Sequence, residues 1–192
     1  MSKRPAAYQV HIQLAEIEPP VWRRVIFSSG MTLHELHRAI QILFSWYDYH
    51  LYEFEYEGRR FAWPDPEAEA EDSTQVRLAD LKLRSGSAFK YTYDFGDDWL
   101  HILEIERIRV RHEEGWLPWL LEGERRGPPE DCGGPMGYME LLASMRTPLE
   151  DLSDNDRGRA EWAGLDFDPD EFSVEQARHA LLLASRWNAE PE

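Results

Sequence analysis

Cysteine occurs once in this chain of 192 residues, at Cys132. A single thiol forms no internal disulfide, so the fold stands without covalent staples, and the lack of pairing fits a reducing compartment, with the cytoplasm as the expected location. Long apolar runs are also missing, and no stretch approaches the ~20 apolar residues of a membrane span. The start Met1-Ser2-Lys3-Arg4-Pro5 is positively charged but is followed by no apolar region, which argues against a secretory signal. Basic residues are scarce. Lys and Arg number 21 against 37 Asp and Glu, a formal charge of −16, so the average surface repels phosphate and direct binding of duplex DNA is not expected. The sequence has no phosphate-cradling glycine loop with lysine, no serine nucleophile elbow and no zinc-finger spacing.

Aromatic side chains are plentiful. Eight Trp, eight Tyr and eight Phe can each bury on the order of 150–250 Å², which predicts an aromatic-rich core. Tyr8, Val10, Ile12 and Leu14 alternate with Gln9, His11 and Gln13, the period of a half-buried strand. Pro19-Pro20 breaks that run, and Trp22 to Phe27 reads as a second strand. Thr32 and Glu35 form a capping-box signature for a helix whose stripe is Leu33, Leu36, Ile40, Leu43 and Phe44. A hairpin follows, turning at Gly58, and the acidic stretch 64–73 is expected as a surface loop.

The central hairpin is predicted from Phe89 to Val110. A three-residue loop at 96–98 places Tyr93 opposite His101, and a two-residue loop at 97–98 places Asp94 there. The first register is preferred because it sets Phe89, Tyr91, Tyr93 and Phe95 on one face with Trp99, Leu103 and Ile105. Residues 123–137 are rich in Gly and Pro and are expected to be irregular, with Pro135 opening a helix through Tyr138, Leu141, Leu142 and Met145. Leu152 to Gly164 suggests a solvated helix anchored by Trp162. Ser173 with Gln176 caps a closing helix buried through Val174, Ala177, Leu181 and Ala184. This order predicts one α+β domain over residues 1–192: a mainly antiparallel mixed sheet with a central aromatic hairpin, packed against several helices.

The chemistry concentrates at the hairpin tip. Asp94, Asp97, Asp98 and His101 lie there in sequence, with Glu130, Asp131 and His50 as candidates to join them. Such residues suit a divalent metal or acid/base work, while turns also select Asp and Gly for local reasons and a histidine also packs on aromatics. These residue types alone assign no metal ligands. His34 and His37 fall one residue short of the zincin spacing, so His37 is read as partly covered and His34 as solvated. Trp22 is read as core and one of Arg23 and Arg24 as paired to a carboxylate, although a local basic patch there or at Arg125 and Arg126 is left open. Pro128 to Gly134 is either a ligand-lining loop or a rigid structural one.

Four segments carry a family resemblance: Pro19-Pro20-Val21-Trp22-Arg23-Arg24; Leu33-His34-Glu35-Leu36-His37 with Trp46 and His50; Tyr91-Thr92-Tyr93-Asp94-Phe95-Gly96-Asp97-Asp98-Trp99-Leu100-His101; and Pro128-Pro129-Glu130-Asp131-Cys132-Gly133-Gly134-Pro135. Together they resemble the plasmid pRiA4b Orf3-like family, whose members are also labelled transposon passengers, over a domain placed at residues 7–187. The resemblance implies an α+β domain found on plasmids, insertion elements and chromosomes, and carries over no catalytic activity. Many relatives have a second cysteine where this chain has Gly127, so a paired-thiol metal or redox site is not implied here.

The expected function is a non-catalytic binding or interaction module for a protein partner or small ligand, linked to mobile genetic elements by gene context. Its expected functional surface is Asp94, Asp97, Trp99, His101, Glu130, Asp131 and His50. The rival is a metal-assisted hydrolase using Asp94, Asp97, His101 and Glu130, and a third reading is a nucleic-acid binder with a concealed basic face.

Overall fold

Residues 6–110, 118–164 and 166–187 are described by a computed structural model. The charged start Met1–Pro5 lies outside the described residues. Period-two patterning yields the strands β1 (Ala7–Leu14), β2 (Trp22–Ser28), β3 (Tyr52–Tyr56), β4 (Arg59–Ala62), β5 (Glu71–Asp72), β6 (Ala88–Tyr93), β7 (Trp99–Val110) and β8 (Trp119–Glu124). They form one eight-stranded sheet in the order β5-β4-β3-β6-β7-β1-β2-β8. Each pairing is antiparallel except β4 with β5. The aromatic hairpin β6–β7 occupies the middle, as its alternation predicts.

One face of the sheet is dry and the other wet, the usual arrangement for antiparallel strands. Tyr8, Val10, Ile12 and Leu14 point into the core. On the opposite face Arg24 pairs with Glu106 at 2.8 Å. Helix α1 (Leu33–Phe44) covers the dry face, and both halves of the Thr32–Glu35 capping box are formed. Its stripe of Leu33, Leu36, Ile40, Leu43 and Phe44 is wholly buried. Three further helices follow: α2 (Gly134–Arg146), α3 (Asp154–Ala163) and α4 (Val174–Trp187). Helix α4 packs on α1 and β8 through Leu181 and, more loosely, Val174 and Ala177. Among the described residues no helix is long and apolar enough to cross a membrane.

The hairpin register differs from both expected ones. Tyr93 pairs with Trp99 and Tyr91 with His101, leaving a five-residue loop at 94–98. Asp94 and Asp98 adopt the left-handed region (φ 56° and 55°). The Asp98 N–H donates to the Asp94 carbonyl at 2.7 Å, and Asp94 Oδ1 accepts from the Gly96 N–H at 2.9 Å. This asparagine-like turn takes Asp94 and Phe95 out of the strand. The shift is two residues, so facing is conserved and Phe89, Tyr91 and Tyr93 still share the core with Trp99, Leu103 and Ile105. Phe95 does not, and is 56% exposed. Phe95→Ala is therefore expected to change stability by less than about 0.5 kcal/mol in urea denaturation, the range of an ordinary surface site.

Other expectations need correcting. Trp162 is 54% exposed and so is no buried anchor; α3 is tied to α2 by Arg159 and Glu140 at 2.6 Å. The acidic stretch 64–73 ends in β5 and the buried Ser73, so only its first part is a surface loop. Trp22 lies half-buried on the wet face, near His11. The inward position goes instead to Arg23, because it shares parity with Val25 and Phe27. His37 is completely buried and His34 half-buried.

Candidate functional site

Four residues close a hydrogen-bonded ring beneath the segment that follows α1. Gln41 Nε2 donates to the Tyr91 hydroxyl at 3.0 Å, and that hydroxyl donates to His37 Nδ1 at 2.8 Å. His37 Nε2 donates to Asp48 Oδ1 at 2.7 Å, and the Asp48 N–H returns to Gln41 Oε1 at 3.0 Å. These directions, assigned from the network, give every donor an acceptor and require a neutral imidazole. Burial supplies it by pushing His37 below its ordinary value, against the opposing pull of Asp48. The ring fixes Asp48, which has a left-handed backbone, and with it the approach to His50.

The same segment is tied on its other side to β6 and to the loop at 128–134. Trp46 Nε1 donates to the Pro128 carbonyl at 2.9 Å, and the Tyr49 N–H donates to the Tyr93 hydroxyl at 3.1 Å. Tyr93 in turn donates to Glu130 Oε1 at 2.6 Å, while the Tyr47 N–H donates to Glu130 Oε2 at 3.1 Å. Burial, and then Glu130, raise the Tyr93 phenol and keep it a donor. The loop also meets the hairpin tip. The Gly133 N–H donates to Asp97 Oδ2 at 3.2 Å, and Gly134, at φ 68°, passes so close to the Asp97 carbonyl that a Cβ would collide with it. Gly127 backs onto the Phe44 carbonyl in the same way, so a side chain at that position would push the loop away from α1.

Three separate segments thereby converge on one cluster. His50 Nε2 lies 3.2 Å from Asp131 Oδ1 and 3.6 Å from Asp94 Oδ2. One ligand atom from each of His50, Asp94 and Asp131 falls within 4.8 Å of the others. His50 Nε2 is shielded from solvent and makes no hydrogen bond, Asp94 is buried, and Asp131 is exposed, which leaves one side of the cluster open. An imidazole nitrogen and two carboxylate oxygens are a donor set for a borderline or hard divalent cation. Cys132 adds no thiolate at neutral pH, since burial and then Asp97 push its thiol up to about 12.

Of the expected surface residues, His50, Asp94 and Asp131 come together, and Asp97 and Glu130 brace them through the bonds just described. Trp99 and His101 lie in the core. His101 is fully buried, edge-on to Phe44 and Trp46. Its Nδ1 donates to the Trp99 carbonyl at 2.9 Å, and burial pushes it down to about 3. It does not reach the cluster. Sequence reasoning missed the exposed Tyr47, Tyr49 and Leu51 around His50, where the two tyrosine rings stack at 5.7 Å. The signal was an aromatic run, Trp46-Tyr47-Asp48-Tyr49, that fits neither a helical nor a strand period. No exposed basic patch of the kind that contacts a phosphate backbone forms at the expected arginines: Arg23 is buried, Arg24 meets Glu106, Arg125 meets Asp170, and Arg126 faces Glu171 at 3.9 Å.

Comparison with known proteins covers both the sheet and these segments. A family profile described as plasmid pRiA4b ORF-3-like protein matches residues 6–176. The uncharacterized protein y4hQ of Sinorhizobium fredii is 35% identical over 185 residues, covering 93% of each chain. A crystal structure of the protein of unknown function MM3350 from Methanosarcina mazei Go1 is similar at a TM-score of 0.80 and 30% identity, over 91% of this chain and 98% of that one. With the profile spanning most of the chain and the relatives nearly all of it, the chain belongs to the plasmid pRiA4b ORF-3-like family.

Proposed function

We propose that this chain is a non-catalytic, cytoplasmic binding module whose working surface takes a divalent cation at His50, Asp94 and Asp131. The observation that carries this reading is the convergence of those three ligand atoms within 4.8 Å from three separate segments. Each segment is braced by hydrogen bonds of its own, the preorganisation a ligand site needs. Cation identity follows from the donors: one imidazole and no thiolate favour zinc or manganese over calcium, which takes six to eight oxygens. Tyr47, Tyr49, Leu51 and Phe95, all exposed and within three residues of a ligand in sequence, would let a protein partner or small ligand add apolar contact to a bond with the open side of the cation.

Binding is favoured over metal-assisted hydrolysis because the nearby acids are already committed. Both Glu130 oxygens accept hydrogen bonds, Asp97 accepts from Gly133, and His101 is in the core, so three of the four residues that the hydrolytic reading needs are engaged in holding the structure. The link to mobile genetic elements is taken as one of gene context, supported by the word plasmid in the family description and not by contact with duplex DNA.

Titration calorimetry of the metal-free chain with zinc and with manganese tests the site. One equivalent is expected to bind, and Asp94→Asn or Asp131→Asn should weaken binding at least about tenfold, since each removes one charged ligand. Affinity unchanged in both variants, or no saturable binding, would remove the cation and with it the reading.

A further inference from the structure

A cavity of about 320 Å³ opens between the end of α1, the Arg126–Gly127 corner and the start of α4. It shares no lining residue with the His50 cluster. Its innermost polar group is Arg23, at the inward position of β2 and 1% exposed. The guanidinium donates from Nε to the Leu43 carbonyl at 2.9 Å. Nη1 donates to the carbonyls of Trp22 at 2.7 Å and Glu124 at 2.8 Å, and Nη2 to that of Arg125 at 2.8 Å. These bonds use four of the five N–H groups of an arginine. Every partner is a neutral carbonyl, which solvates a cation without cancelling its charge.

Two aromatic faces complete the surroundings, Phe172 at 3.6 Å and Phe44 at 4.8 Å from the guanidinium carbon. Burial pulls Arg23 down to about 9, so it is still charged at neutral pH. Arg126 also lines the cavity and is only loosely matched by Glu171 at 3.9 Å. The lining therefore holds two guanidinium groups and one carboxylate, a local positive excess in a chain of net charge −16. Ile42, Phe172 and Ala177 make the remaining wall apolar, while Ser173 and Gln176 offer neutral hydrogen-bonding groups.

We propose that this cavity binds a small organic monocarboxylate with an apolar body, its carboxylate towards Arg23 and Arg126 and its body against Ile42, Phe172 and Ala177. Glu171 disfavours a dianion such as phosphate, and the apolar wall disfavours a small hydrated ion. The ligand would neutralise a buried cation that no acidic side chain among the described residues pairs with, so charge on the ligand should dominate affinity.

Phenylacetate, titrated into the full chain by calorimetry and checked by saturation-transfer NMR, is expected to bind one site with a dissociation constant below about 1 mM. Phenylacetamide has the same shape without the charge and should bind at least about tenfold more weakly. Because Arg23 also holds the fold, the informative variants are Arg126→Gln, an exposed side chain, and Ala180→Trp, at the mouth of the cavity. The first should weaken phenylacetate about tenfold and the second should block it, with cation binding at His50 unchanged and only the small loss of stability that comes from removing the Arg126–Phe167 stack in the first. Equal binding of acid and amide, indifference to both substitutions, or no signal by either method up to about 10 mM would overturn the proposal.

Discussion

Arg23→Met is expected to destabilise the protein by about 3–5 kcal/mol, because it leaves four backbone carbonyls without their donor. The methionine matches the length of the arginine stem but has no N–H groups. It abandons the carbonyls of Leu43, Glu124 and Arg125, which lie 20, 101 and 102 residues away, as well as that of Trp22. A buried carbonyl left without a donor costs about 1–3 kcal/mol, so the expected total is modest only because the 124–125 strand end can relax towards water. Arg23→Lys should recover part of the loss, since an ammonium can meet some of these acceptors but cannot span all of them. Chemical denaturation at fixed pH measures both variants. A loss under about 1 kcal/mol for Arg23→Met would mean that the clamp does not hold the edge of the sheet to α1.

Acid should unfold the protein through His101. An unfolded histidine titrates near 6.5, whereas burial pushes His101 in the fold down to about 3. Between those values the unfolded chain carries one more proton than the folded one, so the stabilising contribution is fully present above about pH 6.5 and is lost as pH falls towards 3. The slope approaches about 1.4 kcal/mol per pH unit and accumulates to the order of 5 kcal/mol. His37, also lowered by burial, acts with the same sign. His101→Leu removes the titrating group while roughly filling its volume. In urea unfolding measured from pH 7 to pH 4, that variant should lose the His101 part of the slope, and a slope equal to that of the parent chain would refute the assignment.

What was legible in the sequence was local. The alternation of β1 and the capping box of α1 depend on residues one to four positions apart, and both formed as read. The hairpin faces were legible because parity survives a two-residue slip, but its register was not, since a left-handed Asp94 has no signature beyond its residue type. Parity also carried unused information about the site. His101 shares it with Trp99, Leu103 and Ile105, which already assigned it to the core although it sits near the tip in sequence. The ligand types at His50, Asp94 and Asp131 were recognised, but their grouping depends on the Tyr93–Glu130 and Asp97–Gly133 bonds, which join segments 37 and 36 residues apart. Arg23 illustrates the same limit, because an arginine among inward-facing apolar residues becomes intelligible only once distant carbonyls are seen around it.

The position of β1 has a kinetic consequence. The first strand of the chain lies inside the sheet, between β2 and β7, so its pairing with β7 waits until residues up to Val110 have left the ribosome. Until then the β1–β2 ribbon and the β3-to-β6 half are separate fragments with unpaired edges, and β7 is the strand that joins them. Closing so long a loop is entropically uphill before any of its contacts form, which makes folding slow and leaves strand edges open to other chains. Nascent copies are therefore expected to be most exposed to edge-to-edge association between the emergence of β6 and that of β7, when both fragments exist and the joining strand does not, and β7-truncated chains should aggregate faster than the full chain in light scattering.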